Sequence, residues 1–375
     1  MSALSIFISA GESSGDMHAA EVVRALYRQP IDVDVVGIAG PAMCAAGCVA
    51  WFDQAELAVM GIGDVLRHLP RILSLERDLL ARVKRSPPAV AVLVDFSSFH
   101  LRLGRKLRQM GVPVLHYIAP KLWAWGGWRV RRLRQSQDLL VSILPFEIEW
   151  FAARGVTACY LGNPVAYRAR AGWSREQLCA HLGLNPADRV LAVLPGSRAA
   201  ELARHLPLLT EVVQRLRAED AQLQVVVPRA PSLSDSSIAP LIAAGCRVVD
   251  RLHPDFALRV DAAVAVSGTA TLELALWQTP TVLIYRGSPL MIWLARRLVR
   301  LNCAGLANIL LGDREVMPEL IQEQATLEAT VEALRPLLAG GDEAVQQIEQ
   351  FSRLLKIMGS SNPADGVAER ALSLI

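Results

Sequence analysis

The chain has no Cys-x-x-Cys pair. Its six cysteines, Cys44, Cys48, Cys159, Cys179, Cys246 and Cys303, stand apart. That spacing excludes a zinc ribbon and a thioredoxin-type redox motif, and leaves free thiols in a reducing compartment as the expectation. No HExxH occurs among the seven histidines, so metal chemistry has no support. No GxGxxG follows an apolar run, which removes the dinucleotide fingerprint. Lysine is scarce: only Lys84, Lys106, Lys121 and Lys356 among 39 basic side chains, the rest being arginine. Codon usage accounts for that total, although each guanidinium offers a forked contact to phosphate or carboxylate. The net charge of +3 is too small to signal nucleic acid.

Membrane-spanning runs are also missing. Val35 to Phe52 is eighteen residues without a charge, but Gly37, Gly40, Pro41 and Gly47 interrupt it, so a strand followed by a turn is expected there. Ile6 to Ala10 is too short for a secretion signal, and no basic segment precedes it. Neither a signal peptide nor a transmembrane helix is expected.

What is present is 375 residues, enough for two or three domains with sizeable cores. Hydrophobic residues make up 52%, charged residues 20%, and the mean hydropathy is +0.31, which excludes a disordered chain and points to an exposed apolar patch. Short β-branched runs alternate with amphipathic segments. Ser5–Ser9, Val33–Ile38, Val90–Val94, Val114–Tyr117 and Leu139–Leu144 read as strands, with a helix from Met17 to Tyr27 after the first. The rhythm restarts after Asn163 with Val190–Leu194, Leu223–Val227, Ala262–Val266 and Thr281–Tyr285, and a helix over Glu201–Leu216. Continuous apolar runs suit parallel strands buried on both faces, joined by right-handed crossovers. The fold class expected is α/β, with two doubly wound Rossmann-like domains facing a central cleft. Their expected ranges are 1–163 and 164–345, followed by a helical segment, 346–375, that packs back on the first domain. Ligands of such sheets bind at the carboxyl ends of the strands.

Four motifs fall at such ends. Gly11-Glu12-Ser13-Ser14-Gly15-Asp16 follows the first strand, where glycines permit close backbone approach and helix amides meet an anion or a sugar oxygen; Ser14 or Asp16 as a helix cap is the plainer reading. Leu194-Pro195-Gly196-Ser197-Arg198 offers Ser197, helix amides and a forked cation to a phosphate, against a competing reading as a cap plus a surface arginine. Ser267-Gly268-Thr269-Ala270 offers small residues at a helix start, with Glu273 one turn on as an acceptor for ribose hydroxyls; Thr269 as a cap and Glu273 as a solvated helix residue is the plainer reading. Asp95 directly follows Val90–Val94, where it reads as a general base toward a sugar hydroxyl or, as a lone Asp after a strand more often is, as a cap; His100, five residues on, is equally a core histidine or a participant. The Asp32-Val33-Asp34 pattern is short enough to be chance. Val59–Leu73 and Pro289–Leu301 mix apolar residues with arginines, as interfacial segments and core helices both do. Trp123-Ala124-Trp125 with Trp128 reads as an aromatic cluster at an interface, a sugar platform or core packing.

Taken in order along nearly the whole chain, these motifs resemble the lipid-A-disaccharide synthases, inverting glycosyltransferases of the GT-B fold. Gly37-Ile38-Ala39-Gly40-Pro41, Ala58-Val59-Met60-Gly61-Ile62, Leu144-Pro145-Phe146-Glu147 and Asn308 within Ala307-Asn308-Ile309-Leu310 also carry the resemblance. It implies transfer of a 2,3-diacylglucosamine unit from UDP to the 6-hydroxyl of 2,3-diacylglucosamine 1-phosphate, giving a β-1,6 disaccharide and UDP. It implies Asp95 as base, Arg198 and Asn308 as residues needed for activity, and Ser267 to Glu273 as the UDP-binding turn. Gly11, Glu12, Ser14 and Gly15 join Ser197 as substrate-binding candidates. No metal or other cofactor is implied. Attachment to the inner face of the cytoplasmic membrane is, and a homodimer is compatible with it. The chain departs from the family pattern at Ser97-Ser98-Phe99-His100, Gly126, Asn163 and Ala307, which bears on the acceptor more than on the donor. Two rival readings are a different GT-B enzyme, either a lipid-linked glycosyltransferase or a UDP-sugar epimerase, and a non-catalytic paralogue that binds UDP or lipid.

Overall fold

The computed structural model describes residues 3–57, 62–124, 126–229, 233–250, 256–288 and 301–375, with side chains for all of these except 62–69, 97 and 171. The chain divides into two compact units, Met1–Pro164 with Ser361–Ile375, and Val165–Ser360.

The first unit is built on seven parallel strands: β1 Leu4–Ala10, β2 Val33–Ala39, β3 Val49–Asp53, β4 Val90–Val94, β5 Val114–Tyr117, β6 Leu139–Ser142 and β7 Ala158–Tyr160. Their order is β3-β2-β1-β4-β5-β6-β7. Every residue of β4 is buried, as a Val-Ala-Val-Leu-Val run covered on both faces requires. One face packs on helices Ser13–Tyr27 and Pro363–Leu372, whose Val367, Ala368 and Ala371 join Ile8, Val22 and Val92 in one core. The other face packs on helices Ile62–Arg85 and Ser97–Gln109 through Leu79, Val83, Leu103 and Leu107. Glu76, buried on the first of these helices, pairs with Arg102 at 2.8 Å and Lys106 at 3.0 Å on the second. A buried carboxylate needs such partners, and this one fixes the helix that starts just after Asp95.

The second unit carries six parallel strands: β8 Val190–Leu194, β9 Gln224–Arg229, β10 Arg247–Asp250, β11 Ala262–Val266, β12 Thr281–Tyr285 and β13 Glu319–Ile321, ordered β10-β9-β8-β11-β12-β13. Helix Asp342–Met358 belongs to this unit, where its Gln347 Oε1 accepts from the Thr281 amide at 2.9 Å. Of the C-terminal segment, only the stretch from Ser361 lies in the first unit.

The main strands stand where the apolar runs placed them. The first helix begins at Ser13 rather than Met17, because the turn after β1 is only two residues long. The sixth strand ends at Ser142, whose hydroxyl turns back to the Leu144 carbonyl and amide. In each sheet the chain reverses direction at the middle, so β1 adjoins β4 and β8 adjoins β11. The loops leaving the carboxyl ends of these pairs diverge, which is the switch point where doubly wound sheets take ligands.

Candidate functional site

At the switch point of the first unit, Ala10 pairs with Val94, so the turns starting at Gly11 and Asp95 lie side by side. Asp95 and Phe96 both adopt left-handed backbone, with φ of 52° and 48°. Two consecutive non-glycine residues in that region cost on the order of 1–3 kcal/mol each, and persist only where neighbours over-determine them. The neighbours are plain. The Asp95 amide donates to the Tyr117 carbonyl at 2.8 Å. The Phe96 ring lies against Gly11: a Cβ on that glycine would stand 2.2 Å from the ring's Cγ, so only glycine fits. His100 closes the loop, with Nδ1 2.7 Å from the Asp95 carbonyl oxygen and Nε2 2.9 Å from Ser9 Oγ.

Asp95 is half-buried. Burial pushes its carboxyl above the ordinary range, against the opposing pull of the Phe96 amide and of Lys121. A carboxyl so raised is a stronger proton acceptor than an ordinary one. His100 is fully buried and lowered to about 4 by that burial; the neighbouring His116, 6.1 Å away ring to ring, is lowered to about 3 by burial and by His100. Both imidazoles are neutral at physiological pH.

A second acid at the same edge of the sheet, Glu147, enters the sequence reading only within a motif of the resemblance, with no part in the site. Glu147, buried at the start of helix Glu147–Ala152, accepts the Trp123 indole N–H at 2.6 Å and a short bond from the Ser142 hydroxyl. Burial pushes it up to about 7, despite those donors and Lys121. Trp123 therefore serves to pin its loop, stacked edge-on against Phe146 at 4.9 Å. Trp125 lies outside the described residues, as do 59–61 and 289–300 of the apolar arginine-bearing stretches. Trp128 is 69% exposed under Arg132.

In the glycine turn, Gly11 and Gly15 are buried while Glu12, Ser13 and Ser14 face outward. Asp16 does not cap its own helix. Its carboxylate accepts from the amides of Gly40, Ala42 and Met43 at 2.8–3.2 Å and so ties β2's exit loop to the turn. Asp32 and Asp34 are exposed at the opposite, amino end of β2.

In the second unit, Leu194 pairs with Ala265, which sets the Gly196–Arg198 turn beside Ser267–Thr269. The first turn is already occupied from within. Glu201 Oε2 accepts from the amides of Ser197 at 3.0 Å and Arg198 at 3.3 Å, and Oε1 accepts from Arg198 Nη1 at 2.8 Å. Gly196, at φ 102°, wraps the carboxylate so closely that a Cβ would lie 2.8 Å from Oε2. The amides expected to be open to a phosphate thus hold a carboxylate. Partial burial pushes Glu201 up, but the Ser197 amide and Arg198 outweigh it and leave the carboxyl below its ordinary value. Arg198 itself is largely exposed. Gly268 and Thr269 are exposed at the start of helix Thr269–Leu276, with Ser267, Ala270 and Glu273 half-buried around them.

Asn308 is far from exposed: its surface is fully covered. Its Nδ2 donates to the Met317 carbonyl at 2.8 Å and to Glu319 Oε1 at 2.7 Å, while Oδ1 accepts from the amides of Val316 and Met317. Glu319 in turn accepts from the amides of Ala304 and Gly305. Asn308, which the resemblance implies is needed for activity, has its amide engaged in holding the 304–319 segment. His205 plays a similar part. The Arg286 amide donates to its Nε2 at 2.7 Å, so Nδ1 carries the hydrogen and donates to the Glu201 carbonyl. Among the described residues, no group of three or more His, Cys, Asp or Glu could hold a metal ion, and no helix is long and apolar enough to cross a membrane.

The family described as lipid-A-disaccharide synthetase matches residues 6–368. Lipid-A-disaccharide synthase of Myxococcus xanthus is 37% identical over 99% of this chain and 97% of its own length. The Geobacter sulfurreducens protein of the same name is 40% identical over 86% and 85%. Among solved structures, the calicheamicin glycosyltransferase CalG4 superposes with a TM-score of 0.63 at 18% identity, covering 100% of this chain and 98% of that one. UDP-GlcNAc 2-epimerase of Neisseria meningitidis, bound to UDP-GlcNAc, gives 0.65 at 11%, covering 100% of both. Transferases and epimerases share this fold, so the structural likeness speaks to architecture and the sequence likeness to family.

Proposed function

The chain belongs to the lipid-A-disaccharide synthetase family, glycosyltransferases of lipid A disaccharide formation, and on that footing we propose the residues that perform the transfer. Asp95 is the general base. It takes the proton of the acceptor's 6-hydroxyl as that oxygen bonds to the anomeric carbon of the UDP-linked 2,3-diacylglucosamine. The bond from that carbon to the diphosphate breaks on the opposite face, so the configuration inverts and UDP leaves. The observation that carries this role is the kinked Asp95–Phe96 turn at the switch point, which holds one raised carboxyl at the rim of the sheet.

Arg198 and the amides beginning at Thr269 receive the diphosphate, where a forked cation and a helix start offset the charge that develops on it. Glu273 serves the ribose hydroxyls, and Ser197, Ser267, Gly268 and Ala270 line the turns. Gly11, Glu12, Ser14 and Gly15 form the wall beside Asp95 on the acceptor side. Asn308 acts on the reaction through the loop it holds. Both substrates carry acyl chains, so the enzyme works at the inner face of the cytoplasmic membrane as a peripheral protein. Leu73, 45% exposed on the helix that also carries the exposed Arg71, fits a surface that meets lipid. Cosedimentation with phosphatidylglycerol vesicles at low and high salt tests that attachment.

Asp95→Asn keeps the shape of the side chain and removes the base. With synthetic donor and acceptor, mass spectrometry should find no disaccharide, while calorimetry should find UDP bound as in the wild type. Full turnover by this variant would end the proposal.

A further inference from the structure

Asp95 does not hold its own position. Left to themselves, Asp95 and Phe96 would not both stay left-handed, and a relaxed loop would swing the carboxylate away from the sheet edge. Three contacts oppose this: the Tyr117 carbonyl on the Asp95 amide, Gly11 under the Phe96 ring, and His100 on the Asp95 carbonyl. The third is chemically distinctive. A carbonyl oxygen only accepts, so His100 Nδ1 carries the hydrogen and donates to it. Nε2 is then bare and accepts from the Ser9 hydroxyl at 2.9 Å. Ser9 belongs to β1, and Asp95 follows β4. The ring therefore spans the two central strands and ties the loop of one to the body of the other. It is wholly buried and packs against Phe96 and Phe99, with centroids at 5.9 and 5.7 Å, while both ring nitrogens are engaged.

We propose that His100 is a positioning residue for the transfer: its neutral ring, anchored on Ser9, fixes the Asp95 carbonyl and thereby aims the Asp95 carboxylate at the acceptor. The inference rests on the reading of Asp95 as base. The titratable groups around the pair are His116, which faces His100, and Lys121, which faces Asp95. Neither His100 nor His116 carries charge near neutral pH, so the ring contributes orientation without placing a cation beside the base.

The test uses the full-length enzyme with synthetic UDP-diacylglucosamine and diacylglucosamine 1-phosphate, followed across pH. His100→Leu removes both hydrogen bonds at similar volume, whereas His100→Asn retains a donor for the carbonyl. Misplacing a reacting group by about 1 Å costs on the order of a hundredfold, so His100→Leu should lose about ten- to a hundredfold in kcat with donor KM within about twofold, and His100→Asn should recover most of it. The acid limb of the kcat profile should also move down in His100→Leu, because a freed Asp95 regains water. A purely structural role would lower the melting point and the active fraction, yet leave that limb in place. If His100→Leu does not fold, Ser9→Ala decides: it leaves the ring intact, frees its far end, and should lower kcat and the limb in the same direction. Wild-type kcat with an unmoved limb in the folded variant overturns the proposal. Asp95→Asn serves as the parallel control. Turnover by it overturns the base assignment and this proposal together, whereas an inert Asp95→Asn with a fully active His100→Leu overturns this proposal alone.

Discussion

Glu201 holds the guanidinium of Arg198 at 2.8 Å and, through its other oxygen, the Ser197 and Arg198 amides. Any diphosphate that uses this turn meets a carboxylate already seated there. The negative charge lowers the turn's affinity for a second anion, and Arg198 must choose between partners. Glu201→Gln keeps an acceptor for the amides and removes the charge. A partly exposed charge pair is worth up to about 1 kcal/mol, so UDP should bind about fivefold tighter to this variant. Titration calorimetry with UDP measures it, and unchanged or weaker binding would show that the diphosphate lies elsewhere.

Gly11 has a different duty. Because a Cβ there would overlap the Phe96 ring at its root, Gly11→Ala must push the ring, and with it the Asp95 backbone, out of the left-handed turn. The expected result is a loss in kcat of at least about tenfold, with UDP affinity intact because the turns proposed for the diphosphate belong to the other unit. Steady-state kinetics beside UDP calorimetry separates the two effects. A variant with wild-type kcat would mean that the ring yields without disturbing the base.

The central strands were legible because their apolar runs are continuous: Val90–Val94, Val190–Leu194 and Ala262–Val266 are buried along their whole length. Edge strands escaped for the converse reason. Val49–Asp53 is exposed or half-buried throughout, and Glu319–Ile321 is three residues long, so neither leaves a clear pattern. The site was half legible. Turns after strands announce themselves by glycine and small residues, hence Gly11, Gly196 and Gly268. Which side chain fills a turn depends on reach after folding, and that hid the parts played by Glu201, His100 and Glu147. One signal was available. Glu201 stands three residues after the N-cap Arg198, the spacing at which a glutamate returns to the amides of a helix start.

Glu147 makes the stability of the first unit depend on pH in a defined direction. Its ordinary value is 4.5, and in the folded chain burial lifts it to about 7. Between those values the folded state binds the proton and the unfolded state does not. The contribution is complete below 4.5, and it is lost as pH rises through 7. Glu147→Gln retains an acceptor for the Trp123 indole and a donor toward Ser142, but cannot ionise. Its stability relative to the wild type should therefore grow with pH, by up to about 3 kcal/mol at pH 8. Denaturant midpoints at pH 5 and pH 8 check the sign. A gap that narrows toward pH 8 would contradict the burial of this acid.

Asn308 separates a structural requirement from a chemical one. Its four hydrogen bonds stay inside the chain, and three of them go to the backbone of Val316 and Met317. Asn308→Ala strands the buried Met317 amide, leaves the Val316 amide only the Arg314 carbonyl, and removes a donor from Glu319, which itself holds the amides of Ala304 and Gly305. Each unsatisfied buried group costs about 1–3 kcal/mol, so the 304–319 loop should open locally while β8 and β11 stay folded. Hydrogen exchange should show lost protection at Ala304, Gly305, Val316 and Met317 and none at Val193 or Val264. Activity should fall with the loop, and because no reacting group is removed, the kcat profile should keep the wild-type acid limb. An acid limb displaced in Asn308→Ala, with exchange unchanged, would mean that the amide acts on the chemistry directly.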